Sequence, residues 1–384
     1  MNRGIGTCGI WYTLYYIIYI SIIMSRVVSR ILILSIFLIA ILPHLSNSFL
    51  ISPYRLPKAL HHVVPRPSTS TESGVNDRPL WASGGIVSDI VNLLISIKPL
   101  FSLMKIAARQ TLIGTAEKNG IRWRGRANDL ASMQTVLTDY ASDITNSSIV
   151  YPAYYTQEFH AYDDGNLNWP AAFECEQATM SMALRVWPKE TITATEAQNR
   201  LRFSFIDAIK MYAAESEVKT PFNTVLDVGC SVGVSTFYMA KAFRDSTVTG
   251  IDLSPQFLAV AMQRQKEAPE EDKSLLNKIS WRHCLAENTG ILPNSVDLVS
   301  ASFVFHELPQ AAARDILKEF YRICSPSGMI AITDNNPKSS VIQNLPPALF
   351  TLMKSTEPWS DEYYIFDLGM FFLHTHPTIY EVPT

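Results

Sequence analysis

The sequence of 384 residues predicts an α/β fold behind a helical extension. From Asn223 onward, short apolar runs, such as those ending at Val228, Asp252 and Ser302, alternate with stretches of helical spacing. Strands that alternate with helices form a parallel sheet. Before residue 216, by contrast, the recurring pattern is helical. We therefore predict a Rossmann-like, doubly wound, mostly parallel sheet over residues 216–384 and a helical region over residues 73–215.

Helices are expected in the extension wherever apolar residues recur every three or four positions. Residues 86–108 have this spacing with a break at Pro99, which predicts two helices. Residues 128–140 predict one amphipathic helix, with Leu130 and Leu137 on its apolar stripe. Two further helices are predicted over residues 173–186 and 194–213.

The segment between these helices, residues 151–169, has no periodicity and reads YPAYYTQEFHAYDDGNLNW. Its aromatic residues either line a lid over a ligand or dock neighbouring helices; they are Tyr154, Tyr155, Phe159, His160 and Tyr162. The run Asp163-Asp164-Gly165-Asn166 is polar and prone to turns, which favours the lid.

The N-terminal residues 1–72 have the pattern of a targeting presequence. No acidic residue precedes Glu72, and a short basic stretch with Arg26 and Arg30 precedes the apolar run 31–42. The Ser- and Pro-rich stretch that follows is typical of a transit peptide. Together the two parts resemble the bipartite presequence of algae with secondary plastids, which implies a chloroplast location.

A membrane anchor formed by residues 10–42 is the alternative to this presequence. Its two apolar runs are each shorter than the ~20 residues that span a bilayer. The removable presequence is therefore favoured over association with a membrane.

Composition excludes several classes of partner. The net charge is −3 and no dense run of Lys or Arg is present, which argues against nucleic-acid binding. The five cysteines form no C-x-x-C pair, and His160, His374 and His376 have no Cys or carboxylate at metal-ligand spacing, so no metal is predicted. No feature points to a protein partner, and a small molecule is the expected ligand.

The first predicted strand ends in Asp227-x-Gly229-x-Ser231-x-Gly233, which opens a helix. Glycines let a ligand approach the backbone, and the helix N-terminus offers free N–H groups to an anion. Asp227 can face an ammonium group. A nicotinamide site of the form G-x-G-x-x-G would require glycines at Ser231 and Val234, which disfavours an oxidoreductase.

The residues after the next two strands are candidates for nucleoside binding. Asp252 follows Gly229 by 23 positions, close to the offset of about 20 at which an acid meets ribose hydroxyls. Leu253 is expected to pack on an adenine face, and Ala286 and Glu287 to lie near the adenine edge.

Five blocks in order resemble class I S-adenosylmethionine-dependent methyltransferases of the type 11 subgroup: Asp-x-Gly-x-Ser-x-Gly, Gly-Ile-Asp-Leu-Ser-Pro, Ala-Glu-Asn, Asn-Ser-Val-Asp-Leu-Val and Ser-Pro-Ser-Gly. This resemblance implies S-adenosylmethionine as the cofactor. It also implies that the end of the fourth strand, with Ser302, points at the sulfonium and the incoming nucleophile. His306 and Glu307 follow as catalytic candidates. His306 would act as a general base, because its ordinary pKa lies near neutrality, or would merely pack at the strand end.

A closer resemblance over residues 151–364 is to plant and algal chloroplast methyltransferase-like proteins. The chain departs from the subgroup where Ser231 replaces the middle glycine and where Leu285 replaces an adenine-binding Asp. Residues 371–384 are expected to supply one strand of the usual C-terminal hairpin, which would leave that hairpin incomplete.

The predicted function is methyl transfer to a small hydrophobic or phenolic acceptor, because Phe303, Phe305 and the lid aromatics would line its site. The alternative is a catalytically silent S-adenosylmethionine-binding or assembly protein.

Overall fold

The computed structural model describes residues 93, 96–160, 162–187, 190–216, 218–336, 344, 347, 350–351 and 355–366. Within them, five strands form one sheet in the order β3-β2-β1-β4-β5, and every pairing is parallel. The strands are β1 (Thr224–Val228), β2 (Thr247–Asp252), β3 (Ser280–His283), β4 (Val296–Ser302) and β5 (Cys324–Thr333). The predicted α/β Rossmann-like fold is confirmed.

Helices precede the sheet and connect its strands. The helices before the sheet are α1 (Lys98–Lys118), α2 (Trp123–Ser132), α3 (Gln134–Ile144), α4 (Trp169–Val186) and α5 (Ala194–Glu215). Those within and after it are α6 (Val234–Ala242), α7 (Pro255–Lys266), α8 (Glu270–Leu276), α9 (Gln310–Ile323) and α10 (Ser360–Tyr364). A short 3₁₀ turn, Phe305–Glu307, follows β4.

The strand register places the predicted site residues at one edge of the sheet. Asp227 pairs with Gly250 of β2 on one side and with Ser300 of β4 on the other. The strand order reverses at β1: β2 and β3 lie on one side of β1, and β4 and β5 lie on the other. Ligands of such sheets bind outside the carboxyl ends of the strands at this switch point.

Side chains of the strands alternate between two cores, as the period of two requires. Leu226 and Val228 of β1 pack on one face in a cluster with Phe320 of α9. Val225 packs on the opposite face in a cluster with Ile206 of α5. Helices therefore cover both faces, as in a doubly wound sheet.

The N-terminal helices differ from the prediction at one place. Residues 128–140 do not form one helix, because the chain breaks at Met133, which caps both α2 and α3. Leu130 and Leu137 nevertheless lie in the same core cluster. The predicted break near Pro99 is present: residues 93 and 96 are helical, the chain bends at Ile97, and α1 begins at Lys98. Pro99 lies in the first turn of α1, where its missing N–H costs no hydrogen bond.

The extension packs directly on the α/β half. Leu137 of α3 and Phe173 of α4 share a core cluster with Phe257 of α7. Arg126 of α2 donates a hydrogen bond to Glu267 at the end of α7 at 2.5 Å. Helices α2 to α4 and the sheet half thus share one buried cluster.

Several predictions lie outside the described residues: the presequence 1–72, its membrane-anchor alternative 10–42, and the single hairpin strand in 371–384. Among the described helices, none combines the length and the apolarity of a membrane span.

Candidate active site

The turn between β1 and α6 has the backbone that its glycines allow. Gly229 and Gly233 take the left-handed conformation, with φ of 65° and 78°. A Cβ on Gly229 would lie 2.6 Å from Val304, and one on Gly233 would lie 2.5 Å from Trp281. Ser231 has φ of 51° although it carries a side chain. Glycine is therefore required at the two outer positions of this turn, while serine is accommodated at the middle one.

Asp227, at the end of β1, is fully buried. Its Oδ2 accepts hydrogen bonds of 2.6 Å from the hydroxyls of Ser235 and Thr236 in α6. Burial raises the pKa of Asp227, and these two hydrogen bonds and the charge of Arg202 partly offset the increase. Its Oδ1 has no partner among the described residues. One carboxylate oxygen thus fixes the helix, and the other is left for a ligand.

Asp252, at the end of β2, lies beside this turn. Its Oδ2 accepts a hydrogen bond from the backbone N–H of Ser231 at 2.8 Å, and its Oδ1 accepts one from that of Ser254 at 2.8 Å. The hydroxyl of Tyr155 approaches Oδ1 to 3.5 Å. Burial raises the pKa of Asp252 to about 6, although the backbone hydrogen bonds act in the opposite direction. The carboxylate is held in place at the sheet edge.

The predicted adenine-side residues follow the ends of β2 and β3. Leu253 is buried, and its carbonyl accepts a hydrogen bond of 3.2 Å from His283 Nε2. Ala286 packs against the core cluster below the strand ends. Glu287 Oε1 accepts a hydrogen bond from the hydroxyl of Tyr154, while its Oε2 is buried without a partner.

The end of β4 contributes Ser302 and the aromatic ring of Phe303. Phe303 has a left-handed backbone, with φ of 59°, and the guanidinium of Arg202 lies 5.3 Å from its ring centroid. Arg202 projects from α5, is 7% exposed, and has no partner for its Nε and Nη1. Burial lowers the pKa of Arg202, against the opposing charge of Asp227.

Unpartnered polar atoms concentrate at this sheet edge. In the part of the chain that the structure describes, eight buried side-chain nitrogen and oxygen atoms lack a hydrogen-bond partner. Five of them belong to Arg202, Asp227, Glu287 and Ser302. Buried polar groups are normally paired, so unpaired groups on four different elements around one cleft indicate a ligand site.

His306 and Glu307 lie in the 3₁₀ turn after β4. His306 Nδ1 lies 2.7 Å from Asp334 Oδ1, and Asp334 Oδ2 accepts hydrogen bonds from the backbone of Phe305 and His306. Burial alone lowers the pKa of His306, but the Asp334 carboxylate outweighs it, and the pKa is raised to about 10. Such an imidazole is protonated at neutral pH and is a donor in this arrangement. The general-base role of His306 stays a prediction, and this geometry does not favour it.

Glu307 Oε2 accepts a hydrogen bond of 3.2 Å from the amide of Asn166. Burial raises the pKa of Glu307 to about 7, while the charge of His306 lowers it. The backbone carbonyl of Asn166 accepts a hydrogen bond of 2.8 Å from Ser254, next to Asp252. Asn166 therefore links the nucleoside side of the cleft to the acceptor side.

The segment 151–169 lies across the strand ends, as a lid would. Tyr154 reaches Glu287, Tyr155 approaches Asp252, and Asn166 reaches Glu307. Tyr162 instead bonds to Glu174 of α4, which is the helix-docking role that was the alternative. The segment contains both kinds of contact, and opening of a lid stays a prediction.

Two residues of this site, Arg202 and Asp334, were not predicted from the sequence. Arg202 lies on the buried stripe of α5 that continues through Ile206, Ile209 and Ala213. A cation at a core-facing position of an amphipathic helix is a signal that the sequence does contain. Asp334 follows β5 directly, and no local pattern distinguishes it from a surface acid.

The known proteins that this chain resembles belong to a class whose cofactor fits this geometry. Residues 225–328 match the family model described as "Methyltransferase domain". Residues 225–328 thus resemble a methyltransferase domain.

Individual relatives are more distant. The chain is 28% identical over 166 residues to the ubiquinone biosynthesis O-methyltransferase of Pseudomonas putida, covering 42% of this chain and 63% of that protein. The protein of the same name from Pseudomonas savastanoi is 28% identical over 163 residues, covering 41% and 62%. The chain therefore spans less than two thirds of the length of these curated relatives.

Solved structures show weaker likeness. The CcbJ methyltransferase of Streptomyces caelestis has a TM-score of 0.27 at 18% identity, covering 33% of this chain and 45% of that one. A phosphoethanolamine N-methyltransferase of Haemonchus contortus has a TM-score of 0.32 at 22% identity, covering 44% and 35%.

The residues of the cleft fit S-adenosylmethionine chemically. The cofactor carries a carboxylate, an ammonium group, a ribose with two vicinal hydroxyls and an adenine with an exocyclic amine. The cleft offers a guanidinium at Arg202 and carboxylate oxygens at Asp227, Asp252 and Glu287, of which those of Asp227 and Glu287 include an unpartnered atom. The carboxylate, the ammonium group, the ribose hydroxyls and the adenine amine therefore each have a complementary group in the cleft.

Proposed function

We propose that this protein transfers a methyl group from S-adenosylmethionine to a hydroxyl of a small, apolar, phenolic acceptor. The observation that carries the proposal is the set of unpartnered polar atoms on Arg202, Asp227, Glu287 and Ser302 around the strand ends. A merely structural strand-to-helix turn has no reason to leave these atoms unpaired.

Four residues would hold the cofactor. Asp252 accepts hydrogen bonds from the ribose hydroxyls, and Glu287 faces the adenine amine. Arg202 pairs with the methionine carboxylate, because a buried guanidinium without a partner is costly until an anion reaches it. Asp227 faces the ammonium group through its unpartnered Oδ1.

The bound cofactor supplies a methyl group activated by the positive sulfonium. The acceptor hydroxyl would take this methyl group and give its proton to solvent, and the cofactor would be left as the neutral thioether. Holding the oxygen in line with the methyl group contributes about 7 to 11 kcal/mol. The residues that position the oxygen are Ser302, His306 and Glu307.

Two observations support a phenolic acceptor. Aromatic side chains surround the cleft: Phe303 follows β4, and Tyr154 and Tyr155 reach in from the segment 151–169. The curated relatives are named O-methyltransferases of ubiquinone biosynthesis, which indicates a hydroxyl as the methylated group.

Calorimetric titration of the full chain with S-adenosylmethionine tests the cofactor site. Asp252→Ala should abolish micromolar binding, whereas Asp245→Ala, an exposed residue before β2, should leave it unchanged. A folded protein that does not bind the cofactor would contradict the proposal.

Labelled-methyl transfer to a panel of catechols, hydroquinones and amines tests the reaction. Incorporation into the phenols is expected. Binding without transfer to any acceptor would instead support the silent cofactor-binding or assembly protein.

We also propose a chloroplast location, on the pattern of residues 1–72. A fluorescent protein fused to this segment should accumulate in plastids of an alga with secondary plastids, and a membrane distribution would favour an anchor.

A further inference from the structure

Three side chains that are distant in the sequence meet on the acceptor side of the cleft. His160 comes from the segment 151–169, and His306 and Glu307 come from the turn after β4. One possible ligand atom from each lies within 4.8 Å of the other two. Local spacing around His160 argued against a metal, but the fold supplies the partners that the local sequence lacks.

The surroundings orient these side chains as the outer shell of a metal site does. Asp334 accepts from Nδ1 of His306 at 2.7 Å, so Nε2 is the nitrogen left for a ligand. An ion that binds there displaces the Nε2 proton that His306 otherwise carries at neutral pH. Asn166 donates to Glu307 at 3.2 Å. Carboxylates that bond the second nitrogen of a ligating histidine set its tautomer and strengthen the metal bond.

Backbone geometry also holds His160 in position. Its φ is 49°, an uncommon conformation for a residue with a side chain, and its N–H donates to the carbonyl of Thr356 at 2.9 Å. Glu357 Oε1 lies 3.9 Å from His160 Nε2. Strained backbone that is tied down at a cleft is a frequent feature of ligand sites.

We infer that His160, His306 and Glu307 form a binding site for one zinc-like divalent cation beside the cofactor cleft. Two histidines and one carboxylate with an open fourth position are a ligand set of zinc sites, and imidazole disfavours magnesium. Ligand atoms on one zinc ion are about 3.4 Å apart, so small side-chain rotations complete the site. Glu357 or water would take the fourth position.

The proposed role of the ion rests on the proposed function. A cation at this position lowers the pKa of a hydroxyl that approaches it, which favours methylation of oxygen. Binding of the ion itself does not depend on that role and is measured separately.

Calorimetric titration of the chelator-treated full chain with Zn²⁺ tests the site, with S-adenosylmethionine titrated in parallel. The wild-type chain is expected to bind one ion, and this binding is expected to depend on His160. Both His160→Ala and His306→Ala should weaken Zn²⁺ binding more than about 100-fold, and Asp334→Asn about 10- to 100-fold. Asp164→Asn, an exposed acid on the same segment, should leave Zn²⁺ affinity unchanged.

His160→Ala should retain cofactor binding, which shows that the variant is folded. In the Co²⁺-loaded chain, the intense visible absorption of tetrahedral Co²⁺ should disappear in the same variant. A chain that binds cofactor but not Zn²⁺, or Zn²⁺ binding that survives both histidine substitutions, would overturn the metal site and leave the proposed methyl transfer standing. A wild-type chain that binds Zn²⁺ but not the cofactor would contradict the proposed function and leave the metal site standing.

Discussion

At the scale of single residues, burial determines the chemistry of the cleft. Asp252 lies at a strand end, where burial raises its pKa to about 6. Arg202 is buried near Asp227, and burial lowers its pKa. Both groups bear charges that a cofactor with opposite charge or hydrogen-bond donors would stabilise. Removing either group should therefore affect cofactor affinity more than folding.

Cofactor affinity should depend on pH through Asp252. Its carboxylate form accepts the ribose hydroxyls, so affinity is full above the raised pKa and is lost as pH falls below about 6. From pH 7 to pH 5 we expect about tenfold weaker binding, from the linkage of one proton. Calorimetry of the wild type and of Asp252→Asn checks this, since the variant should bind weakly with no pH dependence in this range. An equal change of cofactor affinity with pH in the wild type and the variant would show that Asp252 is not the titrating group.

Arg202 should recognise the methionine carboxylate. Charge-assisted hydrogen bonds contribute about 1.5 to 3 kcal/mol, so Arg202→Met should weaken S-adenosylhomocysteine binding about 10- to 100-fold. Methylthioadenosine lacks the carboxylate and serves as the control ligand. Its affinity should not change in the variant, and equal loss for both ligands would show that Arg202 acts only on folding.

Gly233→Ala should destabilise the protein more than Gly120→Ala. Both residues have positive φ, of 78° and 82°, so both substitutions carry a left-handed cost of about 1 to 2 kcal/mol. A Cβ at Gly233 also meets Trp281 at 2.5 Å, whereas nothing lies within 4 Å at Gly120. Urea unfolding of both variants should show the difference, expected at about 1 to 3 kcal/mol from overpacking.

At the scale of elements, the break at Met133 shows how two helices replace a predicted single one. Periodicity of apolar residues continues across the break, because Leu130 and Leu137 both face the same cluster. A periodic stripe therefore reports which residues are buried, but not whether the helix is continuous. The buried contacts of Leu137 should still provide most of the stability of α3.

Leu137→Ala should lower the free energy of unfolding by about 2 to 5 kcal/mol, as large-to-small changes in a core do. Leu137 is 0% exposed, while the adjacent Val136 is 43% exposed. Val136→Ala is the matched control, and its effect should stay within about 0.5 kcal/mol. Similar values for the two variants in chemical denaturation would mean that α3 does not pack on α7 in solution.

At the scale of the whole molecule, the helical extension and the sheet share both the core and the cleft. Ile206 of α5 packs with Val225 of β1, and Tyr155 approaches Asp252. Elements that share buried side chains unfold together. The cofactor, which contacts both parts in our proposal, should stabilise them as one unit.

Thermal unfolding should therefore be a single transition that the cofactor shifts as a whole. At a cofactor concentration of about 100 times Kd, the expected gain is about 2.7 kcal/mol. Calorimetry with and without S-adenosylhomocysteine, together with far-ultraviolet circular dichroism, measures it. Two transitions, of which one is insensitive to the cofactor, would contradict this picture.

The sequence alone determined the features that depend on neighbours along the chain. Gly229, Gly233 and Asp227 are recognisable because one turn needs them within seven residues, and the alternating strands specify a parallel sheet. Asp252 follows because the end of β2 lies beside that turn in any such sheet.

Only the tertiary structure decided which distant side chains share an environment. The pairing of His306 with Asp334, the proximity of His160 and the burial of Arg202 near Phe303 join residues far apart in the sequence. The first contact arises because β4 and β5 are neighbours in the sheet. The other two arise from the packing of the segment 151–169 and of α5 on the sheet edge. The periodic stripe of α5 indicates that Arg202 faces a core, but no periodic signal indicates which distant residues meet there.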